Sequence, residues 1–201
     1  ATNLFKGTDS FLMTENANKK AELTNVQFSY LGGLLGKFYC QKVIFPKWLL
    51  KSHDKGVIHI HDMDMSAMSG ITNCCLINLK ACLYEEDKNG ICTVMNDVGI
   101  KKQTHFVTAC TVASQLVMAT AASQYGGATI TLTHLVPALI TETNVLKKEH
   151  PNTWKSDYKR LIRDGVQTLM YQVNSMYTTQ GQTPFLTVFA YLNEIEESKR
   201  Q

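Results

Sequence analysis

The 201-residue chain lacks most of the features that assign a protein quickly. No apolar run approaches the roughly 18 residues of a membrane span, and a formal charge of only +3, with no basic run and no acidic tail, gives neither nucleic acid nor a membrane surface a reason to bind. The opening ATNLFKGTDS has no charged n-region followed by an apolar core, so it is no signal peptide. The lack of an initiator Met suggests that a preceding segment was removed or never included. Six cysteines are too dilute for a disulfide scaffold, and adjacent Cys74 and Cys75 are poorly placed to bridge each other. A reduced, cytoplasmic setting follows. Also missing are a CxxC pair, an HExxH helix and the strand–glycine loop–helix context of a nucleotide fingerprint. What remains is an ordinary globular balance, 44% hydrophobic and 18% charged. The length suffices for one large domain, or part of a larger one, with a sizeable core.

Chemistry-bearing residues concentrate between His53 and Leu79, HDKGVIHIHDMDMSAMSGITNCCLINL. Val57–His61 alternates in a β-branched context and reads as a short strand, with His59 and His61 on one face and Ile58 and Ile60 on the other. A second extended run, Ile71–Leu79, carries Asn73, Cys74 and Cys75. Two imidazoles on one face, with Asp64 or His53, are the start of a zinc or iron site. No well-spaced third and fourth ligand follows, only Cys74 and Cys75 by proximity. A single histidine in such a run is by default a satisfied core residue. Asn73-Cys74-Cys75 suits a thiol that gives up a hydrogen atom beside an amide that holds a substrate hydroxyl. It equally suits two small buried hydrophobes. Spacing does not separate these readings.

Around this stretch the chain reads as scaffold. Residues 1–22 form a polar lead-in. Thr24 and Gln27 match a capping box, and Phe28, Leu31, Leu34, Leu35 and Phe38 then recur at helical spacing. Gly32, Gly33 and Gly36 in that helix each cost about 1 kcal/mol against Ala, so another backbone or a ligand is expected to approach there. Pro46 opens a short helix, Lys47–His53, which Gly56 ends. Tyr84–Gly99 is a surface excursion turning at Asn89-Gly90. A long helix from His105 to Tyr125 buries Phe106, Ala109, Cys110, Ala113, Leu116, Val117 and Ala121 on one stripe. So many small residues predict close helix–helix contact, within the domain or across a dimer. Gly126-Gly127 ends that helix as a C-cap. His134–Lys148 is helical with a start or kink near 134–136 at Pro137, and Trp154–Met176 is amphipathic. After a polar turn at Thr178–Thr183, Pro184–Leu192 reads as a strand buried on both sides. The pattern is α/β, with too few strands to close a sheet.

Four segments together resemble the anaerobic (class III) ribonucleoside-triphosphate reductases, which are glycyl-radical enzymes. They are TENANKKAELT (14–24), HDKGVIHIHDMDM (53–65) with TNCCLINL (72–79), ASQYGGATITLTHLVP (122–137) and QTPFLTVFAYLNE (182–194). They occur in the family's order over nearly the whole chain. The resemblance implies an α/β fold that is the first half of a ten-stranded α/β barrel of two antiparallel half-barrels, with long packed helices, over residues 1–201. In such enzymes a thiyl radical, made by a C-terminal glycyl radical, removes the 3′-hydrogen of a ribonucleotide. By the family's motif Cys74 would deliver hydrogen as the 2′-hydroxyl leaves, while Asn73 and His59 would bind the substrate ribose. Cys75 would have no role. The helix bearing Gln115 would form the dimer and allosteric-effector surface, binding a dNTP or ATP. No metal is expected in this chain.

The resemblance also marks what is not here. The thiyl-bearing loop cysteine, the Arg-x-x-Gly-Tyr radical site, the four-cysteine zinc domain and the ATP-cone all lie outside the 201 residues. Cys82, Cys92 and Cys110 sit in the wrong motifs to substitute. The chain is therefore expected to be a fragment, one piece of a split enzyme or an excised segment, inactive alone. Its expected partners are the remaining reductase polypeptide, a second copy in a homodimer, an S-adenosylmethionine-dependent activase and the ribonucleoside triphosphate. Formate or a small redoxin would supply electrons. By itself the half-sheet would leave an exposed edge and an apolar face. Three other readings stay open. One is a pyruvate formate-lyase-like enzyme, against which the IHIHDMD context argues. The others are a metal-dependent hydrolase using His59 and His61, and a non-catalytic chain that binds a nucleotide or a partner.

Overall fold

The computed structural model describes residues 24–66, 74–95, 97–123, 127–176 and 183–191. They fall into two compact units: residues 1–73 with 177–183, and 74–176 with 184–201.

In the first unit, helix α1 (Thr24–Tyr39) runs into a short π-helical turn, Cys40–Ile44. Pro46 caps the N-terminus of helix α2 (Lys47–Asp54) in extended conformation, as a residue with fixed φ and no amide hydrogen should. Gly56, at φ 70°, turns the chain out of α2. The expected strand at Val57–His61 does not form; these residues run through bends and turns. The physical reason lies at the helix end. The amides of Val57 and Ile58 both donate back to the Ser52 carbonyl, at 3.0 and 3.4 Å, so neither offers a ladder bond. Nor is the aliphatic face sheltered, since Ile58 is exposed.

The second unit contains the sheets. Strand β1 (Cys74–Leu76) leads into the short helix α3 (Leu79–Tyr84), whose first turn is capped by the Asn78 side chain accepting from the Ala81 amide at 3.2 Å. A two-stranded hairpin, β2 (Thr93–Met95) and β3 (Val98–Ile100), stands in the expected surface excursion. The β-branched residues of its two short runs were its signal, and Asp97 takes the left-handed conformation that suits a tight hairpin turn. Helix α4 (Phe106–Ser123) is followed by strand β4 (Gly127–Thr131), a 3-10 turn (Leu132–Leu135), helix α5 (Val136–Glu149), helix α6 (Trp154–Ser175) and strand β5 (Phe185–Phe189). Pro137 sits in the first turn of α5, where its missing amide hydrogen costs nothing.

Strands β1, β4 and β5 form one parallel sheet with β4 in the middle. Parallel neighbours need long crossovers; α4 serves the first and α5 with α6 the second. Gly127 is therefore a strand residue, not a helix cap, and the ATIT run after it is a strand that the helix-capping reading hid. The polar turn expected at 178–183 lies outside the described residues except for Thr183.

The core lies between the sheet and the helices. Ala128 and Ile130 of β4 are buried with Ala109, Cys110, Ala113 and Val117 of α4 and Leu169 and Val173 of α6, and Cys75 and Leu186 pack against them. The small residues of α4 thus make a contact within the chain. At Gly165 of α6 a Cβ would run into the Phe106 ring and lie 3.2 Å from Cys110 Sγ. Ser114, fully buried, donates to the Gln172 side chain across the same seam. Among the described residues strand β5 is an edge and not buried on both sides: Phe185, Thr187 and Val188 are exposed. No described helix is long and apolar enough to cross a membrane.

Candidate functional site

The HIHDMD stretch is built as a turn on helix α1. Asp62 adopts φ 47°, a region that Asp tolerates better than most residues. Its carbonyl accepts from the amides of Met65 and Ser66 at 2.9 and 3.0 Å and from Ser66 Oγ at 2.9 Å. Met63 is buried. Asp64 presses onto the glycines of α1: a Cβ at Gly36 would collide with the Asp64 carbonyl oxygen, and one at Gly33 would sit 3.1 Å from Asp64 Oδ2. Two of the three glycines therefore meet the close approach expected of them, Gly36 from the backbone of Asp64 and Gly33 from its side chain. Gly32 meets nothing within 4 Å.

Three imidazoles gather beside this turn. The His53 and His59 ring centroids are 5.4 Å apart, and those of His59 and His61 are 6.0 Å apart and nearly perpendicular. His53 Nδ1 accepts from the Ile60 amide at 3.2 Å, and His61 Nδ1 lies 2.7 Å from Asp62 Oδ2. Among the described residues no three His, Cys, Asp or Glu side chains are placed to share a metal ion. His59 is exposed.

In the second unit the pleat separates the adjacent cysteines. Successive strand residues point to opposite faces, so Cys75 turns to the core while Cys74 is exposed on the other face. In register, Cys74 pairs with Gly127 and Gly127 with Phe185; the next alternate row is Leu76, Thr129 and Thr187. This open face carries the exposed thiol beside Leu76 and Phe185, which are 66% and 55% exposed. The remaining thiols of the unit are held protonated. Burial pushes Cys110 up to about 12, and burial also raises Cys82 and Cys92. None of the three has the depressed pKa of a reactive cysteine. All six cysteines are free.

Gln115 is exposed on α4, while its neighbours Ala113, Ser114, Leu116 and Val117 are buried. Thr108, Gln115 and Ala119 share that exposed stripe at helical spacing. Asn73 lies outside the described residues. His59 belongs to the first unit, and Cys74 and Gln115 to the second. The sequence reading missed Gly127 and Phe185, the row-mates of Cys74. Their signal was the ATIT run after Gly127, which places that residue on a strand.

Residues 15–201 match the family model described as anaerobic ribonucleoside-triphosphate reductase. The chain is 31% identical to the anaerobic ribonucleoside-triphosphate reductase of Salmonella typhimurium, over 92% of this chain and 26% of that protein. The reductase of the same name from Escherichia coli K12 gives the same figures. That of phage T4 is 28% identical over 92% of this chain and 31% of its own length. The chain thus spans a quarter to a third of the relatives it matches. By that match, along nearly its whole length, the chain belongs to the anaerobic ribonucleoside-triphosphate reductase family.

Proposed function

We propose that this chain forms part of an enzyme that reduces ribonucleoside triphosphates to deoxyribonucleoside triphosphates by thiyl and glycyl radical chemistry, with Cys74 as its hydrogen donor. The observation that carries this reading is the exposure of Cys74 on the open face of the parallel sheet while Cys75 faces the core. A thiol that delivers hydrogen to a bound sugar has to stand on a surface that the sugar can reach. The sheet would be the start of the first half-barrel, its open face turned to the substrate. The glycyl radical and the structural zinc would belong to segments outside this chain.

The chemistry then divides as follows. A thiyl radical on another segment takes the 3′-hydrogen atom of the ribose. The 2′-hydroxyl leaves as water, taking up a proton. The carbon radical left at C2′ receives a hydrogen atom from Cys74 Sγ: a C–H bond forms, an S–H bond breaks, and the sulfur is left oxidised by one electron. The sulfur radical takes a hydrogen atom from formate, or an electron and a proton from a small redoxin. The donor's second electron, with a proton, turns the C3′ ketone left by water loss into a C3′ radical, and the first thiol returns its hydrogen atom there. Asn73 and His59 would hold the ribose hydroxyls. The exposed stripe with Gln115 on α4 suits a dimer surface at which a dNTP or ATP effector binds. The partners would be the rest of the reductase polypeptide, a second copy and an S-adenosylmethionine-dependent activase, in the cytoplasm, where six free thiols stay reduced.

Cys74→Ser in the full-length reductase tests the assignment. Glycyl-radical formation, followed by electron paramagnetic resonance, should persist while deoxynucleotide formation is abolished. Turnover at the wild-type rate would refute the role of Cys74.

A further inference from the structure

Gly127 opens the central strand β4, in the row Cys74–Gly127–Phe185 on the open face of the sheet. Nothing among the described residues requires a glycine there. Its backbone is not in the left-handed region, where among the described residues only Gly56 and Gly90 fall of the glycines. Nor is it crowded. A Cβ would lie 3.6 Å from the Phe185 carbonyl oxygen, 3.7 Å from Phe185 Cβ and 3.8 Å from Cys74 Sγ, all ordinary contacts. A glycine inside a strand loses more conformational entropy than any other residue and packs nothing in return. With conformation and packing both set aside, the reason left for a bare position in a strand is that something from outside comes close to the backbone.

The bare position has defined borders. On one side stands the exposed Cys74 thiol and on the other the half-exposed Phe185 ring. Neighbouring strands run about 4.8 Å apart, so the two bordering Cα atoms are about 10 Å apart. Cys74 Sγ and Phe185 Cβ each lie less than 4 Å from the place a Cβ would take, so a sugar resting over Gly127 lies against both.

We propose that Gly127 is a specificity residue of the reductase, the floor on which the ribose of the substrate lies within reach of Cys74 Sγ. The proposal rests on the reading of Cys74 as hydrogen donor. Any side chain at 127 would stand beside the sulfur and lift the sugar away from it. The cost falls on substrate binding and not on the fold.

Gly127→Ala and Gly127→Val in the full-length reductase test this, with Cys74→Ser in parallel. Alanine has room in the chain, so its thermal midpoint and glycyl-radical yield should match wild type. Its KM for the ribonucleoside triphosphate should rise about tenfold, and the valine variant's further, as for one to three misplaced methyl groups in a substrate pocket. Wild-type KM and kcat in both variants would overturn the proposal. So would a lowered radical yield with unchanged KM, which would mean that another part of the polypeptide rests on Gly127. If Cys74→Ser turns over, the reading of Cys74 itself fails. If Cys74→Ser is inactive while both Gly127 variants behave as wild type, only the assignment of Gly127 fails.

Discussion

The two units use their apolar residues differently. In the second, helix α4 packs on strand β4 and helix α6 packs on α4, and residues such as Val117, Ile130 and Leu169 are excluded from water. In the first, the stripe of α1 and the π-turn points outward: Phe28, Leu34, Leu35, Phe38 and Val43 are all more than half exposed, as is Trp48 of α2. The same helical periodicity therefore marks a core in one unit and an uncovered surface in the other. Periodicity reports which face of a helix is apolar and is silent on what covers it.

The largest effect that would sharpen this contrast comes from equal truncations. Leu169→Ala, at a site 4% exposed, should lower the unfolding free energy by about 2–5 kcal/mol. Phe38→Ala, at 60% exposure, should shift it by no more than about 0.5 kcal/mol. Denaturant titration of the chain reads both. Equal losses would mean that the outward face of α1 is covered in solution.

Glycine replacements come next. Gly165→Ala forces a methyl into the Phe106 ring and should cost about 1–3 kcal/mol through overpacking. Gly36→Ala, set against the Asp64 carbonyl, should also destabilise. Gly32→Ala meets nothing and should gain up to about 1 kcal/mol of helix stability. Thermal melts of the three variants should rank them in that order, and a stabilised Gly36→Ala would show that the Asp64 turn does not rest on α1.

A smaller effect belongs to the second unit alone. Burial holds Cys110 and Tyr84 at about 12, from ordinary values of 9.0 and 10.0. In the unfolded chain both ionise earlier. Their contribution to stability is therefore fully present below pH 9 and lost as the pH rises towards 12. The unfolding midpoint should fall across that window, and Cys110→Ala should fall less steeply from its own lower starting value.

The longer helices were legible because each repeats an apolar stripe over several turns and carries its own punctuation, whereas α3, only six residues long, went unread. Pro46, Gly56 and Pro137 sit where their backbone restrictions place them. The strands were harder. Val57–His61 alternates like a strand, yet its amides are spent on the end of α2, a choice made by backbone geometry and invisible in the alternation. Strand β4 went unread because its first glycine resembles a helix terminator. At the candidate site the residues alone left two neighbouring thiols, and only the family's motif singled out Cys74. Choosing between their exposures took the pleat and the position of the helices, which are properties of the assembled sheet.

The central claim is that Cys74, and not Cys75, is the thiol presented to substrate. Timed alkylation of the full-length reductase with iodoacetamide, read by peptide mass spectrometry, tests it most directly. Cys74 should label well before Cys75, and a saturating ribonucleoside triphosphate should suppress its labelling. Labelling of Cys75 at the same rate, or a Cys74 that substrate leaves unprotected, would contradict the account.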